Sequence, residues 1–175
     1  ELQKAGKPVV VSMSTYAASG GYWIAAGADR IFASPSTITG SIGVFGMFMT
    51  YEKSLSHLGV HTDGVGTTEM AGFSALRPLP DQFGQIIQYS VENTYSKFLN
   101  IVSNGRDLNI DAVDEIAQGR VWIGTDALEL GLVDELGSLD DAIASAAEIA
   151  ELENYDTFYV TRDLSPQELF WKEFF

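Results

Sequence analysis

Apolar residues follow two rhythms along this chain: short β-branched runs, and longer stretches with helical spacing. The first run, residues 9–14 (VVVSMS), reads as a strand buried in a parallel sheet. A small-residue bend at Ala17 and Ala18 follows, and Tyr22-Trp23-Ile24-Ala25-Ala26 has helical composition, so residues 9–26 form a βα unit. Residues 29–33 read as a short strand and 34–37 as a turn. Residues 38–49 are rich in β-formers, with Gly40, Gly43 and Gly46 read as strand glycines at close backbone approaches. Helical spacing over 51–58 ends at Gly59, residues 60–65 read as a strand, and residues 66–79 show no period and read as a loop.

Pro80 and Asp81 open a long amphipathic helix to about residue 103, with Phe83, Ile86, Ile87, Val91, Phe98 and Val102 toward the core. A short helix over 110–117 stops near Gly119, and 121–123 is a strand. Thr125 is placed to cap a helix that stops at Gly131, and 132–134 returns to strand. Ser138 with Asp141 matches a capping box for a helix over 139–150. This alternation argues for α/β layers. Residues 1–150 are read as one domain and 151–175 as an extension, with a strand-like run at 157–161 and an aromatic end, FWKEFF, suited to packing on a neighbour. The opening ELQKAGKP reads as the last turn of a helix stopped by Gly6, so a piece of a longer protein is expected.

Composition narrows the chemistry. A chain of 175 residues with 46% hydrophobic content can bury a substantial core. No stretch approaches the ~18 uninterrupted apolar residues of a membrane span. A formal charge of −14 repels phosphate backbones, which argues against nucleic-acid binding. The chain has no cysteine, which excludes disulfides, thiolate catalysis and Cys-ligated zinc. His57 and His61 are separated by a helix-breaking glycine and read as surface residues rather than a metal pair. The acidic group Asp134, Glu135, Asp140 and Asp141 reads as solvated helix-start charge. No Lys-Ser/Thr follows the glycine series, so it is not a phosphate-binding loop.

Ser19 carries the chemical interest. It stands between a strand's end and a helix's start, and Gly20 and Gly21 leave room for a substrate backbone. The same position suits a helix N-cap, and Ala17 departs from the G-x-S-x-G elbow pattern, so spacing leaves both roles open. A serine nucleophile needs a base. The histidines lack an acidic orienter. Lys4 and Lys7 lie at the far end of the leading strand, Lys53 opens an exposed helix, and Lys97 sits beside Tyr95, Ser96 and Asn100 on what reads as a solvated face. Lys172 lies in the tail, and none of the five is well placed.

The segment AASGGYWIAAGADRIFASPSTITGSIGVFG, followed in order by GVHTDGV and QGRVWIGTDALELGLVDELGSLDDAI, resembles the signature of the signal peptide peptidase A (protease IV) family. The likeness spans roughly residues 1–150 and is nearest the C-terminal half of the long, two-repeat form. It implies a Clp protease/crotonase-like α/β spiral of ββα units and a serine–lysine dyad with no cofactor or metal. Ser19 would be the nucleophile, the Gly20 N–H an oxyanion donor, and Ser41 of TGSIG the hydroxyl that orients the lysine. The stretch 41–45, with Ile42, Gly43 and Val44, would border the substrate groove. In short forms the lysine follows the GVHTDGV-like strand, but residues 67–80 contain none, which implies a base supplied by the N-terminal half of the same parent protein. The glycine-rich oxyanion loop would also precede Glu1.

The likeness further implies short apolar peptides such as cleaved signal peptides as substrates, and a homo-oligomer, by resemblance a tetramer. The parent would be anchored in the bacterial inner membrane with this domain in the periplasm. On architecture alone, acyl-CoA chemistry on a crotonase-like fold and a non-catalytic assembly module remain alternatives.

Overall fold

The first four strands alternate between two small sheets, and this alternation sets the architecture of the computed structural model, which describes residues 1–68, 71 and 74–160. The chain opens with a single 3-10 turn, Gln3–Ala5, stopped by Gly6 at φ 73°. Then come β1 (Val10–Met13), β2 (Tyr16–Ala18), α1 (Gly20–Ala25), β3 (Arg30–Ala33), β4 (Ile38–Gly40), α2 (Glu52–His57) and α3 (Asp81–Arg106). The remainder is α4 (Ile110–Ile116), β5 (Val121–Ile123), α5 (Gly124–Glu129), β6 (Glu135–Leu136) and α6 (Leu139–Ile149). One sheet has the order β1-β3-β6, parallel throughout, and the other β2-β4-β5, parallel then antiparallel. Each of the first two strand pairs sends one strand to each sheet before a helix follows. The chain is therefore an α/β fold of repeated ββα units, as expected.

Helix α1 and the last third of α3 close over the sheets. Tyr22, Ile31, Ile42, Phe98, Val102, Val113 and Leu132 are fully buried. The Tyr22 hydroxyl donates to the Leu132 carbonyl at 2.8 Å, and burial pushes its pKa well up, so it remains a phenol. The Asp134 carboxylate accepts from the Ile31 N–H at 2.7 Å and from Arg106 at 2.5 Å, while Arg106 also donates to the Gly131 carbonyl at 3.1 Å. The Arg106 side chain is only 8% exposed while Asp134 is exposed, so the pair is a half-buried clamp between α3 and the first sheet. Where α3 crosses the end of α1, a Cβ on Gly105 would stand 2.1 Å from the Ala26 carbonyl oxygen.

Several expected elements shift, each for a physical reason. Strand β4 ends at Gly40, and residues 41–50 run without a ladder; the Ser41 N–H and the Ile42 carbonyl bond instead to the turn after α4. Residues 60–65 are not a strand: among the described residues they have no ladder partner, and Val60 and Val65 are exposed. The 132–134 strand moves to 135–136, since Tyr22 occupies the Leu132 carbonyl and Asp134 turns its carboxylate onto Ile31. Thr125 does not cap α5; the helix begins at Gly124, whose backbone packs so closely on Ser34 that a Cβ would lie 2.0 Å from its carbonyl. Ile86 is 54% exposed, because the first half of α3 projects beyond the core. The Ser138–Asp141 capping box forms as expected. Residues 157–160 form no strand, and the rest of that run, the aromatic end and Lys172 lie outside the described residues.

Because Gly105 meets backbone rather than a flexible side chain, Gly105→Ala forces α3 away from α1. Overpacking of this kind costs about 1–3 kcal/mol. Urea unfolding of the variant is expected to show a loss at the upper end of that range, and an unchanged midpoint would contradict the packing.

Candidate active site

Ser19 joins β2 to α1 at φ 53° and ψ −117°, a left-handed conformation that costs a residue with a side chain about 1–3 kcal/mol. Its side chain makes no capping bond to the helix, so the N-cap role open to it on sequence is not the one it plays. The backbone is fixed on both sides instead. The Ser19 N–H donates to the Gly40 carbonyl at 2.9 Å, and the Ser19 carbonyl accepts from the Trp23 N–H at 2.9 Å. The result is a sharp, strained strand-to-helix turn that presents an exposed hydroxyl, as a nucleophile elbow does, although Ala17 lies within β2 where that motif has glycine. Gly20 and Gly21 begin α1, so their N–H groups have no acceptor within the helix. A Cβ at either would meet nothing within 4 Å; these glycines keep the space beside Ser19 clear rather than serve packing.

That space is an open cavity of about 770 Å³ lined by Ser19, Gly20, Ser41, Gly43 and Val44, together with α3 and the turn after α4. The structure thus brings together five of the six residues singled out from sequence. Ile42 is the exception: it is fully buried in the core, and its carbonyl accepts from the Gly119 N–H at 2.9 Å. The groove border is an irregular segment rather than a strand, and left-handed Gly40 and Ser41 turn Ile42 inward. A Cβ on Gly43 would stand 2.7 Å from the Gly119 nitrogen, so two backbones touch there. Ser41 is itself left-handed, at φ 50°, and its N–H donates to the Arg120 carbonyl at 2.7 Å.

The cavity wall is apolar. Trp23, Phe45, Val91 and Phe98 supply it, with the Trp23 and Phe98 rings 4.6 Å apart. Glu92 is the single charged residue among the described lining residues. No lysine lines the cavity among them, and Lys4, Lys7, Lys53 and Lys97 are all exposed. Sequence reasoning missed Tyr95, Gln118 and Gly119. Tyr95, read from sequence with a solvated face, is half-buried in the cavity wall. Its hydroxyl donates to the Asp114 carboxylate and accepts from the Gln118 N–H, the latter at 3.2 Å. Burial and the bond to Asp114 raise its pKa. The available signal was helical spacing: Tyr95 lies one turn from Val91 and one from Phe98, on the same face.

Comparison with known proteins places the chain in a family. The chain is 54% identical over 148 residues to "Protease 4" of Haemophilus influenzae, an alignment covering 85% of this chain and 24% of that protein. It is 37% identical to "Serine protease SPPA, chloroplastic" of Arabidopsis thaliana, over 83% of this chain and 22% of that one. The chain therefore spans about a quarter of the length of these curated relatives. Among solved structures it is similar to a protein of Hyphomonas neptunium assigned to the enoyl-CoA hydratase/isomerase family, with a TM-score of 0.47 and 19% identity, covering 85% of this chain and 41% of that one. The model of "Peptidase family S49" matches residues 1–153, and the chain belongs to that family.

Proposed function

We propose that this chain is the nucleophile-bearing part of a serine peptidase in which Ser19 forms an acyl-enzyme. The observation that carries the reading is the strained elbow at Ser19, whose hydroxyl does not cap its helix and opens into an apolar cavity. The Ser19 Oγ attacks the carbonyl carbon of the scissile peptide, and its proton passes to a neutral lysine amine. Negative charge gathers on the carbonyl oxygen, toward the Gly20 N–H. Collapse breaks the C–N bond, and the leaving amine takes the proton from the lysine. Water then attacks the acyl ester and releases Ser19.

The family likeness supports a lysine supplied by the N-terminal half of the parent protein, and no lysine among the described residues lines the cavity. Lowering a lysine pKa from ~10.4 to near 7 requires roughly 4–5 kcal/mol of desolvation, which apolar walls favour. Ser41 shares the cavity with Ser19 and orients that amine. An apolar wall and a charge of −14 suit short apolar peptides, cleaved signal peptides among them, and oppose acidic ones. The family likeness supports a parent anchored in the bacterial inner membrane, assembled as a homo-oligomer, with this domain in the periplasm. Among the described residues no helix is long and apolar enough to cross a membrane.

In the full-length parent, Ser19→Ala is expected to abolish peptide hydrolysis while leaving thermal unfolding unchanged within a few degrees; retained turnover would sink the reading. A Leu/Ala-rich peptide should be cleaved faster than an acidic peptide of equal length, and the reverse preference would contradict the role given to the cavity wall. The 175-residue chain alone should fold yet react slowly at Ser19 with acylating probes, and adding the N-terminal half should restore labelling. Rapid stoichiometric labelling of the chain alone would place the base within these residues, and Lys53 would be the first to replace.

A further inference from the structure

We propose that Tyr95 and Asp114 are positioning residues: they hold the turn at 118–120, and that turn fixes the backbone of Ser41 beside Ser19. The proposal rests on the peptidase reading, in which the Ser41 hydroxyl orients the base. Tyr95 comes from α3 and Asp114 from α4, and their hydrogen bond joins the two helices under one wall of the cavity. The same Tyr95 oxygen accepts from the Gln118 N–H at 3.2 Å, so one phenol spans the helix pair and the turn. Its pKa is raised, which keeps it protonated and donating to Asp114.

The turn needs such a restraint. Gln118 and Gly119 are consecutive left-handed residues, at φ 57° and 76°. Opposite them, Gly40 and Ser41 are left-handed at φ 71° and 50°. Two strained segments therefore lie back to back, joined by the Ser41 N–H to the Arg120 carbonyl at 2.7 Å and the Gly119 N–H to the Ile42 carbonyl at 2.9 Å. Gly43 rests against Gly119 with no room for a Cβ. Neither segment has a regular ladder beyond Gly40 to hold it, since β4 ends there and β5 starts only at Val121. A shift of the Gln118 turn thus passes directly to Ser41. Loss of the Tyr95 hydroxyl leaves the ring packed but frees the Gln118 N–H. Loss of the Asp114 carboxylate removes the acceptor that orients the phenol.

The test uses the full-length parent and an apolar peptide substrate. Tyr95→Phe should lower kcat about 10- to 100-fold with KM within about twofold, the pattern of displaced chemistry rather than lost binding. In a Ser41→Ala background the same change should add nothing, because both act through one hydroxyl. Asp114→Ala should reproduce the loss and Asp114→Asn, which keeps an acceptor oxygen, should recover most of it; this pair serves if Tyr95→Phe misfolds. Hydrogen exchange of peptides covering residues 40–44 and 117–121 should quicken in Tyr95→Phe. Wild-type kcat in Tyr95→Phe, additive losses with Ser41→Ala, or unchanged exchange in these peptides would each overturn the proposal. Ser19→Ala is run in parallel. Turnover surviving in it refutes the peptidase reading and the positioning with it, whereas an inactive Ser19→Ala with an unaltered Tyr95→Phe refutes the positioning alone.

Discussion

One hydrogen bond, from the Ser19 N–H to the Gly40 carbonyl, sets the geometry of the site. It extends the parallel β2·β4 register, in which Ala18 pairs with Gly40, one residue past the last ladder pair. The chain must therefore stay extended to its very last strand residue and turn into α1 within a single step, which a left-handed Ser19 accomplishes. On the other side of the same bond Gly40 and Ser41 also turn left-handed, and the chain leaves the sheet there. Two serines are thus brought to one cavity by the two ends of one backbone contact. Strain at both positions persists because the surrounding hydrogen bonds overdetermine them.

The cavity between these segments and α3 is open but largely apolar. Its aromatic and aliphatic wall lowers the local dielectric, which weakens the hydration of any amine brought into it and strengthens the pull of an N–H dipole on a developing oxyanion. Glu92 works in the opposite direction, since a carboxylate stabilises a protonated amine. It lies in the exposed part of the wall and accepts from the Gln88 amide at 2.7 Å, so part of its charge is already engaged. The ion pair of Arg106 with Asp134 stands apart from the cavity and has a mechanical role, holding α3 against the first sheet.

Much of this was legible in the residues. The β-branched run before Ser19, the glycines at 6, 59 and 131 that stop a turn or helix, the Ser138 capping box and the apolar stripe of α3 are local features with local causes, and the structure has them. What escaped the sequence depends on distant backbone. The strand expected over 132–134 is displaced because two of its residues are taken by Tyr22 and Ile31, more than 100 positions earlier. Thr125 looks like a cap until Ser34 is seen to press on Gly124. Ile42 looks like a groove residue because TGSIG reads as a continuing strand, whereas left-handed Gly40 and Ser41 rotate it into the core. Tyr95 was hidden by its polar neighbours, Ser96 and Lys97, which face the other way. The S-G-G at the elbow was visible, but that the Ser19 side chain makes no capping bond to its helix is a fact of geometry.

The bond from Tyr22 to Leu132 joins residues 110 positions apart, and Asp134 reaches back 103 positions to Ile31. Closing a flexible loop of that length costs roughly 4 kcal/mol, to be recovered only once the late residues arrive. At ribosomal speeds of about 5–20 residues per second, the first βα unit waits on the order of ten seconds for its partners. During that interval Tyr22 has no acceptor, β3 has an open edge, and the apolar faces of β1 and α1 are uncovered. Nascent chains shorter than about 136 residues in this numbering therefore expose the segment that bears Ser19 as an unclosed layer. The layer closes only when β6 arrives to pair with β3.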